Sequence, residues 1–117
     1  MQSAQVYWVL TITVDQMDKF KLLAQKLVAA TAKEPGALQF QFSVADDQRT
    51  VDIFERYADS KAALVHQRES FGPYAEEFFA LAKLTRWTMY GTFSDDFKKA
   101  NADFHPIYMS QFNGFVR

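Results

Sequence analysis

The sequence predicts an α+β fold with the order β-α-β-β-α-β, the split β-α-β or ferredoxin-like arrangement, followed by a C-terminal extension. Three observations predict it. Two long stretches near the ends of the core alternate apolar and polar residues with a period of two. A central pair of alternating stretches flanks a short polar turn and reads as a hairpin. The segments between them repeat apolar residues at helical spacing.

The first strand spans 6–14. Val6, Trp8, Leu10, Ile12 and Val14 share one face, and Tyr7, Val9, Thr11 and Thr13 the other. Asp15 is the expected N-cap of the first helix. Met17, Phe20, Leu23, Ala24, Leu27, Val28 and Thr31 form its apolar stripe, with Lys19, Lys21, Gln25 and Lys26 opposite. Glu34-Pro35-Gly36 ends it, because Pro cannot continue a helix and Gly tolerates left-handed angles.

Residues 37–45 form the second strand, with Leu38, Phe40, Phe42 and Val44 on one face. Asp46-Asp47-Gln48-Arg49 is the turn, and 51–57 the partner strand. Asp59 or Ser60 caps a helix that runs to His66. Gly72-Pro73 interrupts it, and a further helix carries Tyr74, Phe78, Leu81 and Ala82. The last long strand is read over 85–93. Ser94-Asp95-Asp96 begins a short helix. The apolar tail beyond it, through Phe104, Ile107, Phe112 and Phe115, is expected to pair as an extra strand or to clasp a partner subunit.

Such a fold places its helices on one sheet face. The other face holds Tyr7, Val9, Phe54 and Tyr90 among Thr, Gln and Arg, which a second sheet would bury. A chain of 117 residues fits one domain, and a domain of this size gains burial by pairing. A homodimer is therefore expected.

Composition removes several function classes. A net charge of -1 supplies no basic stripe for nucleic acid. The absence of Cys removes thiolate catalysis and Cys-ligated metals. Neither His66 nor His105 shows metal-ligand spacing, so no metal is expected; His105 reads as exposed or interfacial. Four Gly residues make no phosphate loop. Met1-Gln2-Ser3-Ala4-Gln5 lacks the features of a signal peptide and no apolar run is long enough for a membrane span, so a cytoplasmic protein is expected.

The stretch from Glu34 to Phe78 carries a resemblance. It holds Glu34-Pro35-Gly36, then Ala37-Leu38-Gln39-Phe40, then the run from Phe54-Glu55-Arg56-Tyr57 to His66, then Ser70-Phe71-Gly72-Pro73-Tyr74. This pattern resembles the antibiotic biosynthesis monooxygenase superfamily over roughly residues 5–93. The resemblance implies a dimeric α+β barrel. It also implies a choice of activities: cofactor-free oxygenation of quinols or polycyclic phenols, haem degradation, or isomerisation of a small carbonyl compound. The haem-degrading branch uses an Asn, a Trp and an iron-ligating His. Here Thr and Val stand in the first strand where Asn is expected, and no Trp lies between Ser60 and Leu84. Haem is therefore not expected, and no cofactor is.

His66 is the first candidate catalytic residue, since imidazole titrates near neutral pH and can relay a proton. The alternative is a structural His bonded to the sheet. Glu55 shares a face with Val51, Ile53 and Tyr57. It is either a base or orienter for His66, or a buried hydrogen bond holding the hairpin to the second helix. Tyr57, Tyr74, Trp8, Trp87 and Phe78 are candidates to line a substrate pocket, with core packing as the competing reading. Tyr74 ranks first among them because it follows Gly72-Pro73. The resulting expectation is a cofactor-independent monooxygenase of a small electron-rich aromatic. The alternatives are an isomerase, which would want Arg56 or Arg68 in a polar pocket, and a non-catalytic binding or stress-associated module, which would fill its pocket with Phe.

Overall fold

The computed structural model describes residues 5–117; Met1-Gln2-Ser3-Ala4, read above for a leader, lie outside them. The elements are β1 (Val6–Val14), α1 (Met17–Thr31), β2 (Ala37–Val44), β3 (Thr50–Tyr57), α2 (Ser60–Val65), α3 (Ala75–Leu81), β4 (Ala82–Tyr90), α4 (Asp95–Ala100) and β5 (Ile107–Met109). A π-helical turn (His66–Phe71) and a 3-10 turn (Gly72–Tyr74) join α2 to α3.

The sheet has the order β2-β3-β1-β4-β5. Its first four strands pair antiparallel, which is the ferredoxin-like core. The tail adds β5 parallel to β4, so the sheet is mixed rather than wholly antiparallel. Within one chain the sheet is open and forms no closed barrel.

Alternation works as expected on β1 and β3. Val6, Trp8, Ile12 and Val14 are buried on the helix side, together with Val51, Ile53, Glu55 and Tyr57. Phe20, Leu23, Leu27 and Thr31 of α1 pack there, but Val28 is exposed at the edge of the stripe. On the opposite face Tyr7 stacks between Tyr90 (4.8 Å) and Phe54 (5.7 Å), with the Arg56 guanidinium over its ring.

Several local expectations are corrected. Asp15 does not cap α1, since the N-cap position falls on Gln16, which makes no side-chain cap bond. Asp15 instead pairs with Arg49 at 2.6 Å across the strand ends. Asp59, not Ser60, caps α2, accepting from the Ala62 N–H. The last strand runs over 82–90 rather than 85–93, because α3 feeds directly into it and Gly91, at φ +115°, ends it. Phe93 stays buried all the same. The short helix read from Ser94-Asp95-Asp96 forms as α4, and Ser94 caps it by accepting from the Phe97 N–H.

A bulge in β4 matters for the site. Thr11 pairs with Arg86 and Ile12 with Leu84, so Thr85 is the extra residue. Strict alternation would put Leu84 and Trp87 on opposite faces. The bulge brings both to the helix side.

Candidate active site

A cavity of about 340 Å³ lies between the helix side of the β1–β4 half of the sheet and the chain from α2 to α3. Trp8, Leu10, Leu84 and Trp87 form its sheet wall. Phe71, Phe78 and Phe79 come from the connecting turns and α3, and Phe104 from the C-terminal extension. Phe79 and Phe104 stack at 5.7 Å, so the extension completes the pocket. The lining is predominantly apolar, and the volume suits a small organic ligand.

Three titratable groups reach this lining from the sheet and the π turn: Glu55, His66 and Arg68. The β3 register puts Glu55 on the buried face, and α2 delivers His66 above it. His66 Nε2 lies 3.3 Å from Glu55 Oε1, and the Tyr57 hydroxyl donates to the same oxygen at 2.6 Å. Burial pushes the Glu55 carboxyl above its ordinary range; the nearby His66 and the Tyr57 hydrogen bond oppose that shift. The Trp8 indole N–H falls short of hydrogen-bond geometry but also favours the charged form. Burial first, then the Glu55 charge, push the Tyr57 phenol well up, so Tyr57 stays a neutral donor.

The other ring nitrogen has its own carboxylate. His66 Nδ1 lies 3.1 Å from Glu34 Oε2 and 3.5 Å from Thr31 Oγ1. Ser70, one turn on from His66, donates to the same Glu34 oxygen. The rings of Tyr57 and Phe40 pack at 5.1 and 5.3 Å from the imidazole. Close packing of α2 against the start of β2 makes this possible. A Cβ on Gly36 would stand 2.6 Å from the Ala62 Cβ, so only Gly allows the approach that carries Glu34 to His66.

The structure thus brings together His66, Glu55, Trp8, Trp87 and Phe78 at one cavity. Tyr57 stands behind it, fully buried, and acts on Glu55 rather than on the cavity. Tyr74 does not line it. The 3-10 turn directs Tyr74 toward the core cluster around Ile12, Phe20 and Leu23. His105 is exposed, at φ 50°. Arg56 lies on the far face of the sheet, and Arg68 is the one Arg or Lys in the lining. The cavity is open rather than plugged by Phe.

Sequence reasoning missed Glu34, Ser70, Gln67, Asn101 and Phe104. Asn101, 4% exposed, exchanges two amide hydrogen bonds with Gln67 (3.0 and 3.1 Å) and pins α4 to the π turn. The one available signal was for Glu34, an acidic residue fixed beside the Pro35-Gly36 turn. Glu34 and Glu55 lie on opposite edges of the imidazole, and no group of three or more residues able to hold a metal ion is found among the described residues. No helix among those residues is long and apolar enough to cross a membrane.

The profile of the antibiotic biosynthesis monooxygenase family matches residues 6–103. Comparison with curated proteins finds no match. Solved structures share the fold. MupZ from Pseudomonas fluorescens is 21% identical with a TM-score of 0.89, over 100% of this chain and 92% of that one. SnoaB, a cofactor-independent oxygenase from Streptomyces nogalater, is 18% identical with a TM-score of 0.68, over 78% and 95%. A conserved protein from Methanosarcina mazei Go1 is 18% identical with a TM-score of 0.71, over 77% and 94%. MupZ covers the C-terminal extension as well as the core.

Proposed function

The chain belongs to the antibiotic biosynthesis monooxygenase family, and on that premise we propose that it is a cofactor-independent monooxygenase of a small electron-rich aromatic such as a quinol. One observation carries the reading: an imidazole–carboxylate pair, His66 with Glu55, faces a predominantly apolar cavity. SnoaB, of the same fold, is a cofactor-independent oxygenase, which supports the choice.

The cavity strips water from the aromatic ring and positions it against His66. His66 Nε2 takes the phenolic proton, with Glu55 stabilising the imidazolium that forms. The phenolate passes an electron to O₂, and the radical pair joins to form a C–O bond. The O–O bond then breaks as a proton returns to the outer oxygen and the C–H bond at the attacked carbon gives up its proton, which releases water and leaves a carbonyl. One oxygen atom stays on the substrate and the other leaves as water. The quinol supplies both electrons.

Oxygen uptake with a panel of reduced quinols, corrected for autoxidation in protein-free controls, tests this. Uptake above background that is lost in His66→Ala supports it. No uptake by the wild-type protein with any quinol overturns it. The isomerase alternative draws support from Arg68 alone and requires turnover without O₂.

A homodimer through the outer sheet face is part of the same proposal. Tyr7, Val9, Phe54 and Tyr90 give that face an apolar strip. The exposed Phe112, Phe115 and Val116 provide a second apolar segment for a partner to cover.

A further inference from the structure

His66 stands between two compartments. On its Nε2 side is the apolar cavity with Glu55. On its Nδ1 side is Glu34, which lines a second, more open surface cleft together with Lys33, Asp59, Lys61, Glu69 and Ser70. We propose that Glu34 is the outer station of a proton path, and that protons pass between the apolar cavity and the surface cleft through Glu55, His66 and Glu34. The role deepens the oxygenase reading, since it rests on His66 and Glu55 being the proton-handling pair of that reaction.

The arrangement exceeds what holding a histidine needs. One carboxylate on one ring nitrogen suffices to fix a ring and its tautomer. Here each nitrogen has a carboxylate, at 3.3 and 3.1 Å, and the imidazole between them is only 3% exposed. The two carboxylates differ in surroundings: Glu55 is shut in under Trp8 and Tyr57, whereas the Glu34 side chain is 11% exposed at the cleft. Glu34 Oε1 is buried and has no hydrogen-bond partner among the described residues, so the contacts that hold this carboxylate fall on Oε2. The π turn begins at His66 and brings Ser70 onto Glu34 Oε2, so one distorted turn supplies both groups that hold this carboxylate.

The path balances as an exchange of bonds. A neutral imidazole carries its hydrogen on Nδ1, toward Glu34. Its Nε2 takes a proton from the cavity, by way of Glu55 or directly from substrate, and becomes imidazolium. The Nδ1–H bond then breaks and its proton goes to the Glu34 carboxylate, which leaves neutral imidazole with hydrogen on Nε2. Glu34 releases the proton to the cleft. The reverse sequence returns a proton to the cavity when the O–O bond breaks. No electrons move along the path.

The test reads His66 without substrate. Solvent exchange of its ring N–H protons is measured by NMR on histidine-labelled protein. Glu34→Gln keeps a hydrogen-bond acceptor at Nδ1 but cannot take a proton. Exchange is expected to slow about tenfold or more in Glu34→Gln and by less in Glu55→Gln. Wild-type exchange in Glu34→Gln, or slowing only in Glu55→Gln, overturns the proposal. If Glu34→Gln does not fold, Glu34→Asp withdraws the carboxylate by one methylene; slower exchange supports the path and unchanged exchange overturns it. Oxygen uptake is scored separately. Exchange that depends on Glu34 in a protein without uptake leaves the path standing and removes the oxygenase reading. Uptake in a protein whose exchange ignores Glu34 does the reverse.

Discussion

His66 Nε2 stands 3.3 Å from Glu55 Oε1 at the wall of an apolar cavity, so a proton acceptor and its counter-charge share one buried spot. Replacing His66 with Ala removes the acceptor and leaves the Glu55 carboxylate with one less partner. Quinol-dependent oxygen uptake is expected to fall by roughly 10²–10⁴. Stability is expected to fall by about 1–3 kcal/mol, from the buried group left under-satisfied. Uptake and denaturant unfolding, measured on the same preparation, check both. A loss of stability with unchanged uptake would return His66 to a structural role.

Glu55 sets a pH dependence of stability. Burial raises its carboxyl above the ordinary value of 4.5, so the folded state holds this proton more tightly than the unfolded chain does. Its contribution is therefore fully present below 4.5 and is lost as pH rises through the raised folded value. Glu55→Gln mimics the protonated form and lacks this loss. Urea unfolding of both proteins from acid to neutral pH should show the wild type losing stability relative to Glu55→Gln over that window. Parallel curves would contradict it.

Tyr57 controls the same carboxyl. Its hydroxyl favours the charged form of Glu55, so Tyr57→Phe is expected to move the Glu55 titration further up. The lost buried hydrogen bond should cost about 1–3 kcal/mol. Carboxyl-carbon NMR titration of Glu55 reads the first effect, and denaturant unfolding the second.

Asp47 is the opposite electrostatic case. Hydrogen bonds from the Thr50 hydroxyl first, then from the Thr50 and Arg49 amides, lower its carboxyl from 3.8 to about 2. A depressed value means that the hairpin turn keeps this contribution above 3.8 and loses it as pH falls toward 2. Thr50→Val should raise the Asp47 titration, which NMR reads directly. An unchanged titration would contradict the hydrogen-bond origin.

The outer sheet face makes a separate prediction. Sedimentation should give twice the 13.5 kDa chain mass. Val9→Lys, which places a charge in the apolar strip, should shift the population toward monomer. A monomeric wild-type protein would overturn the homodimer.

Much of this protein was legible in its sequence, because secondary structure leaves a local period. The alternation of β1 and β3, the stripe of α1, the hairpin at Asp47 and the short helix begun at Ser94 follow from residues close together in the chain. Even the burial of Glu55 was implied, since its neighbours two positions away on either side are Ile53 and Tyr57. The period misleads where the backbone departs from it. The Thr85 bulge puts Leu84 and Trp87 on one face, and the turns from His66 to Tyr74 carry Tyr74 away from the cavity.

By itself, the sequence determined the order of the core elements and the apolar faces of β1, β3 and α1, and it offered His66 and Glu55 as candidates. Only the tertiary structure decided that Glu34 joins them. Glu34 and His66 are 32 positions apart, and no period links them. They meet because Gly36 lets α2 pack against the start of β2, a contact fixed by a missing Cβ and the shape of the core. Sequence patterns record which way a side chain points; packing settles what it meets there.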